Sequence, residues 1–145
     1  MNERSAQHAG FLSESPESRG RISVALAPLP SSISAARRAV GMLLVDSDPS
    51  DEFSFTLRLV VSELMTNAVV HGSAGDEIHL DLTLHRDHAH VSIHNLGAGL
   101  EMKKLRLERP NGGRGLEIVA ALSERWGIDT GRSGTTMTAS VPRYV

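Results

Sequence analysis

The sequence predicts an α+β domain, a two-layer sandwich whose mixed, mostly antiparallel sheet carries helices on one face. Three observations lead there. Every strand candidate alternates apolar and polar residues, which gives the sheet one apolar and one polar face. The elements run β-α-α-β-β-loop-α-β-β, with a tight hairpin in the middle. A long stretch from Asp51 to Val70 carries an apolar stripe at helical spacing and can cover the apolar face. A doubly wound parallel sheet would need strands apolar on both faces, and these are not.

Residues 1–20 are rich in Ser, Glu and Gly without periodicity and are expected to form a mobile tail, leaving residues 21–145 as the domain. Ile22, Val24 and Leu26 alternate with Ser23 and Ala25 in a first strand ended by Pro28 and Pro30. Ser31, Ser32 and Ser34 are candidate N-caps for a helix through residues 34–45, where Met42, Leu43 and Leu44 suit either a core or an interface. Asp46-Ser47-Asp48-Pro49 breaks that helix. In the long helix the stripe is Leu57, Val60, Val61, Leu64, Met65, Ala68 and Val69, and Gly72 and Gly75 end it. Ile78, Leu80, Leu82 and Leu84 then alternate with polar residues, Arg86-Asp87 turns the chain, and Ala89, Val91 and Ile93 alternate in the returning strand. A loop of glycine and charge occupies residues 96–113, residues 114–122 are helical, and residues 126–130 and 135–141 are closing strands.

Composition narrows the function. Hydrophobic residues make up 40% of the 145 and charged residues 22%, which excludes collagen-like and wholly disordered chains. A net charge of -2 offers no footprint for direct nucleic-acid contact or an anionic membrane, and 3% aromatics make a poor base-stacking platform. With no cysteine there is no disulfide scaffold, Cys-ligated zinc or thiol nucleophile. No uninterrupted apolar run reaches about 18 residues and the start is polar, so a cytoplasmic location is expected.

Within the long helix, Glu63, Asn67 and His71 recur every four residues and so stack on one line of its surface. A carboxylate, a carboxamide and an imidazole there are costly unless they face a ligand, a metal ion or water. Oxygen donors suit Mg²⁺, which keeps several waters beside one or two protein ligands. The plainer reading is that they line the helix's solvent flank. In Asn95-Leu96-Gly97-Ala98-Gly99, alternation turns Asn95 toward the helices, and the glycines permit close backbone approach. Asn111-Gly112-Gly113-Arg114-Gly115 opens a helix, where free N–H groups can receive phosphate, though a GGxG alone also makes an ordinary turn. Thr135 shares its face with Met137, Ala139 and Val141, so its hydroxyl points inward. His79, His85, His88, His90 and His94 crowd the hairpin and read either as a zinc or nickel site or as an uncovered polar sheet face.

Together these motifs, ExxxN on a helix, NxGxG after a hairpin, GGxGL opening a helix and GTT in the closing strand, resemble the GHKL (histidine-kinase-like) ATPase superfamily. The likeness runs from Arg21 to Val145. It is nearest the anti-sigma-factor serine kinases of actinobacterial type in LVVSELMTNAVVHG and GGRGLEIVAALSERWG. The resemblance implies a Bergerat-type ATP-binding fold, with ATP and Mg²⁺ as cofactors. It implies Glu63 as general base toward a serine hydroxyl or water, Asn67 as the Mg²⁺ ligand, and a less defined role for His71 at the end of the motif. Asn95, Gly97, Gly99 and Thr135 match the adenine site, residues 100–113 the lid, and Gly113, Arg114, Gly115 and Leu116 the phosphate-binding turn. Lys103, Lys104, Arg106 and Arg109 in the lid suit phosphate or an acidic partner. The implied partners are a sigma factor of RNA polymerase and a small anti-anti-sigma antagonist, which the kinase would phosphorylate on serine. A homodimer through the first strand and helix is expected by analogy.

One position departs from the pattern. Asn95 stands where the family usually has an aspartate that accepts a hydrogen bond from the adenine amino group. A carboxamide brings donors as well as one accepting oxygen. A mismatched buried polar group costs about 1–3 kcal/mol, or roughly 5- to 150-fold in affinity. The alternative expectation is therefore a partner-switching binding protein of the same fold with weak nucleotide binding and little catalysis, in which Asn95→Asp would restore affinity. The catalytic domain of a sensor histidine kinase fits less well, since only a short tail stands before the first strand and no dimerisation helices are expected.

Overall fold

The computed structural model describes residues 18–71, 76–95 and 115–144. In chain order the elements are β1 (Ser18–Leu26), α1 (Ser31–Leu44), α2 (Asp51–His71), β2 (Ile78–His85), β3 (His88–Asn95), α3 (Gly115–Leu122), β4 (Arg125–Gly131) and β5 (Gly134–Pro142). The order is the expected one. The sheet runs β1-β2-β3-β5-β4 and every pairing is antiparallel, so the mixed sheet allowed for by the sequence is in fact uniform. Helices α1 and α2 pack on one face of it and α3 packs on α2, which makes the predicted two layers.

Burial follows the alternation. Ile78, Leu80, Leu82, Leu84, Ala89, Val91, Ile93, Met137, Ala139 and Val141 are buried beneath the helices, while His79, Asp81, His90, Ser92 and His94 lie on the other face. From α2, Leu57, Val60, Val61, Leu64, Met65 and Ala68 are fully enclosed. Each such leucine contributes about 1.5–3 kcal/mol of hydrophobic stabilisation. By length and composition α2 could cross a bilayer, although Arg58 and Glu63 interrupt it. Half of that stretch is buried against the sheet and the neighbouring helices, which makes α2 the core helix of this domain.

Several boundaries differ from expectation. β1 begins at Ser18, three residues before Arg21, because its pairing with β2 continues through Gly20 to His85 across an irregularity. The remainder of the expected tail lies outside the described residues, as do the loop of residues 96–113, Gly72 and Gly75. α1 starts at Ser31, with Pro30 at the cap position and no side-chain cap. The serines are not caps: the Ser32 hydroxyl turns back to donate to the Ala27 carbonyl at 2.7 Å. Leu43 and Leu44 belong to the core, whereas Met42 is 66% exposed. The break after α1 is built on Asp48, which takes a left-handed φ of 51°, a conformation aspartate tolerates better than most residues.

Candidate functional site

The site is organised by the way α2 is rotated on the sheet. Its start is fixed by Ser50, whose hydroxyl oxygen accepts a hydrogen bond from the Phe53 N–H at 3.0 Å. One flank of the helix meets α1. There Arg37 Nε donates to Ser62 Oγ at 2.7 Å and Ser62 Oγ donates to the Arg58 carbonyl at 2.8 Å. Asn67, nine residues after Arg58, lies about half a turn around the axis. The Glu63–Asn67–His71 line is therefore on the flank turned away from α1. Asn67 is 0% exposed and Glu63 and His71 are half-buried, so a solvent flank does not describe them.

The last turn of α2 meets the end of β3. Asn95 is 2% exposed, on the helix-facing side as its alternation predicts, and its Nδ2 donates to the Ala68 carbonyl at 3.5 Å. Directly across the β3–β5 ladder stands Thr135, 1% exposed. The Thr135 hydroxyl donates to Thr130 Oγ1 on β4 at 3.3 Å. Gly134, immediately before it, has a φ of 120°, which side-chain-bearing residues rarely adopt. Behind this floor, on the polar face, His94 spans two segments. Its Nδ1 meets Thr136 Oγ1 at 2.6 Å and its Nε2 donates to the Ser133 carbonyl at 3.1 Å. A carbonyl can only accept, so Nε2 carries the proton.

The structure thus brings Asn67, Asn95 and Thr135 to one end of the sheet, through Ala68 and the cross-strand pair, with Glu63 and His71 one turn to either side of Asn67. Gly115 and Leu116 open α3 and are both buried, Leu116 as part of the core. Its side chain packs, leaving only its backbone for a ligand. Gly97, Gly99, Gly113 and Arg114 lie outside the described residues. Two cavities formed by described residues lie elsewhere. One of about 360 Å³ is lined by Arg19, Met42, Val45 and Arg143. Another of about 520 Å³ is lined by Glu52, Phe53, Leu122 and Tyr144. Neither includes a residue singled out for nucleotide chemistry.

Residues 26–141 match the histidine kinase-like ATPase domain family. The chain belongs to that family. It is also 26% identical over 86 residues to an anti-sigma F factor of Oceanobacillus iheyensis, an alignment spanning 57% of this chain and 59% of that protein. Among solved structures it resembles the RsbU and RsbW domains of a Mycobacterium tuberculosis protein. The TM-score is 0.66 and the identity 20%, over 87% of this chain and 34% of the other. The histidine kinase domain of the blue-light activated histidine kinase of Erythrobacter litoralis matches at a TM-score of 0.54 and 18% identity, over 78% and 64% of the two chains. These structural likenesses concern the fold.

For a histidine kinase-like ATPase domain, the donor set fits a purine nucleotide. Two carboxamides and a hydroxyl, neutral and buried, offer both donors and acceptors to the edge of a base. The fit to Mg²⁺ is of the sparse kind. Among the described residues no three His, Asp or Glu side chains group to hold a metal, so the protein would contribute a ligand or two and phosphates the rest. Among the described residues the hairpin histidines likewise form no group of three that could hold a metal. They are the open polar face of the sheet, with His79 and His94 paired across β2 and β3 and both ring nitrogens of His94 engaged. Sequence reasoning missed the Ala68 carbonyl and the Thr130 hydroxyl, and it named His94 without its bonds to Thr136 and Ser133. A backbone carbonyl leaves no mark in a sequence, but the alternation of β4 and β5 could have paired Thr130 with Thr135.

Proposed function

We propose that this histidine kinase-like ATPase domain is an ATP-binding anti-sigma factor that also acts as a protein serine kinase on a small anti-anti-sigma antagonist, in the cytoplasm. The observation that carries the reading is the convergence of buried Asn67, Asn95 and Thr135 at one end of the sheet, with the Glu63 carboxylate one helical turn from Asn67. The likeness to an anti-sigma F factor supports the choice of partner class.

In this reading Asn95 and Thr135 hold the base from below. The Asn67 carboxamide oxygen supplies a ligand for Mg²⁺, whose charge would offset that of the nucleotide phosphates. Asn67 is fully enclosed, so neighbouring atoms must withdraw before a metal reaches it. Glu63, half-buried, would accept the proton of the attacking serine hydroxyl as that oxygen bonds to the γ-phosphorus of ATP and the bond from that phosphorus to the ADP oxygen breaks, with ADP as the leaving group. Gly113, Arg114, Gly115 and Leu116 would present backbone N–H groups to phosphate, Gly97 and Gly99 would pass beside the base, and His71 would close the end of the motif. A homodimer forms through β1 and α1.

The test is calorimetric titration with Mg·ATP together with transfer of labelled phosphate to a purified antagonist. Micromolar binding and transfer are expected, and a protein that binds no nucleotide overturns the reading. The second reading, partner switching without catalysis, is favoured by Asn95 at the adenine position. Tight binding of sigma factor and antagonist with no transfer of phosphate would select it.

A further inference from the structure

Thr135 enters the site from the first residues of β5, directly after a turn that does little to hold itself. Only two residues, Arg132 and Ser133, join β4 to β5. A two-residue loop that matches the right-handed twist of its strands has a positive φ at its first position or at both. Neither Arg132 nor Ser133 has one, and the positive φ of 120° falls instead on Gly134, already inside β5. Both loop residues are exposed, and a Cβ added to Gly131 would meet nothing within 4 Å. Neither local geometry nor packing around the loop locks this turn, so it depends on contacts from elsewhere.

One such contact comes from His94, on the open polar face of the sheet. Its Nε2 donates to the Ser133 carbonyl at 3.1 Å, and in the neutral ring its Nδ1 accepts from the Thr136 hydroxyl at 2.6 Å. Thr136 is the cross-strand partner of His94, so the ring bridges its own ladder partner and the turn three residues before it. The two anchor points stand on either side of Gly134 and Thr135. Strand alternation sends the His94 and Thr135 side chains to opposite faces. The imidazole thus grips from behind the same four residues that present the Thr135 hydroxyl to the helices. His90, on the same face as His94, meets Ser140 near the far end of β5 instead.

The geometry points to His94 as a positioning residue: it braces the β4–β5 turn and thereby sets where the Thr135 hydroxyl stands beside Asn95, without itself touching a ligand. The inference rests on the nucleotide reading of the site and gives one of the hairpin histidines a task of its own.

The experiment measures amide hydrogen exchange in the nucleotide-free protein and titrates ATP into wild type, His94→Leu, His94→Gln and, as a control from the same face, His90→Gln. His94→Leu removes both ring bonds, whereas His94→Gln keeps an amide donor for the Ser133 carbonyl. For His94→Leu we expect the Gly134 and Thr135 amides to exchange about tenfold faster while those of Ala139 and Val141 are unchanged. ATP binding should weaken about tenfold, the scale of one lost buried hydrogen bond. His94→Gln is expected to stay within about threefold of wild type in both measurements, and His90→Gln to match wild type. Wild-type exchange at the turn in His94→Leu overturns the brace. Faster exchange there with unchanged ATP affinity overturns the positioning role, and so does equal acceleration along all of β5, which would make His94 a contributor to global stability. A wild type that binds no ATP overturns the nucleotide reading and the positioning role with it, while exchange at the turn still decides the brace.

Discussion

Asn95 and Thr135 stand directly opposite one another in the β3–β5 ladder, both on the helix-facing side and both nearly inaccessible. Directly opposed side chains in an antiparallel pair approach to about 4.5–5.5 Å between Cβ atoms. The carboxamide and the hydroxyl therefore form one continuous polar floor. Thr135→Val preserves the branched shape and removes the hydroxyl. We expect nucleotide affinity to fall about tenfold, within the range for one lost buried hydrogen bond. The melting temperature should stay within a few degrees of wild type, and calorimetry beside a thermal melt separates the two effects.

Glu63 should divide binding from chemistry. General-base catalysis typically supplies about 10²–10⁴-fold in rate. Glu63→Gln is expected to slow phosphate transfer by that order while ATP affinity changes less than threefold. Transfer at the wild-type rate in a single-turnover assay would exclude Glu63 as the base.

Arg143 ties the opposite end of the domain together. Its guanidinium donates to the Ser47 and His85 carbonyls, at 3.3 Å each, and lies 5.7 Å from the ring centres of Phe53 and Tyr144. Arg143→Ala removes two charged hydrogen bonds and the ring contacts. We expect a loss of about 1–3 kcal/mol in urea denaturation. Nucleotide binding should be unchanged, because eight residues of extended chain, roughly 26 Å, separate Arg143 from Thr135.

His90 makes stability depend on pH. Burial, then the neighbouring His88 and His85, hold its imidazole below the usual range, with Asp81 pulling weakly the other way. The unfolded chain therefore binds the proton more readily than the folded one. The contribution is fully present above the unfolded value of about 6.5 and is lost as pH falls through and below it. His90→Gln is expected to flatten the decline in melting temperature between pH 7.5 and 5. An identical decline in the variant would place the effect on other groups.

How far the sequence reaches can be followed at single residues. The inward direction of Asn95 and Thr135 was legible, because strand alternation has a period of two and each stands in step with apolar neighbours. Asn67 was harder. Helical spacing put it in line with Glu63 and His71, but its enclosure depends on how α2 is rolled, which Arg37 and Ser62 help to set across the α1 interface. The serines in the first turn of α1 misled, since a hydroxyl near a helix start can bond backward to the preceding loop, as Ser32 does to Ala27. The Ala68 contact could not be foreseen at all. It joins a backbone oxygen to a side chain 27 positions away, and only the folded chain brings them together.

The strand order has its own consequence for how a newly made chain matures. β5 sits inside the sheet, between β3 and β4, yet it is translated after both. Until it emerges from the ribosome, β3 offers an open row of amide and carbonyl groups beside apolar side chains, and β4 lacks the strand through which it joins the sheet. A nascent polypeptide stalled there would present a sticky seam to its neighbours. Insertion of β5 both closes that seam and delivers Thr135 beside the carboxamide waiting on β3.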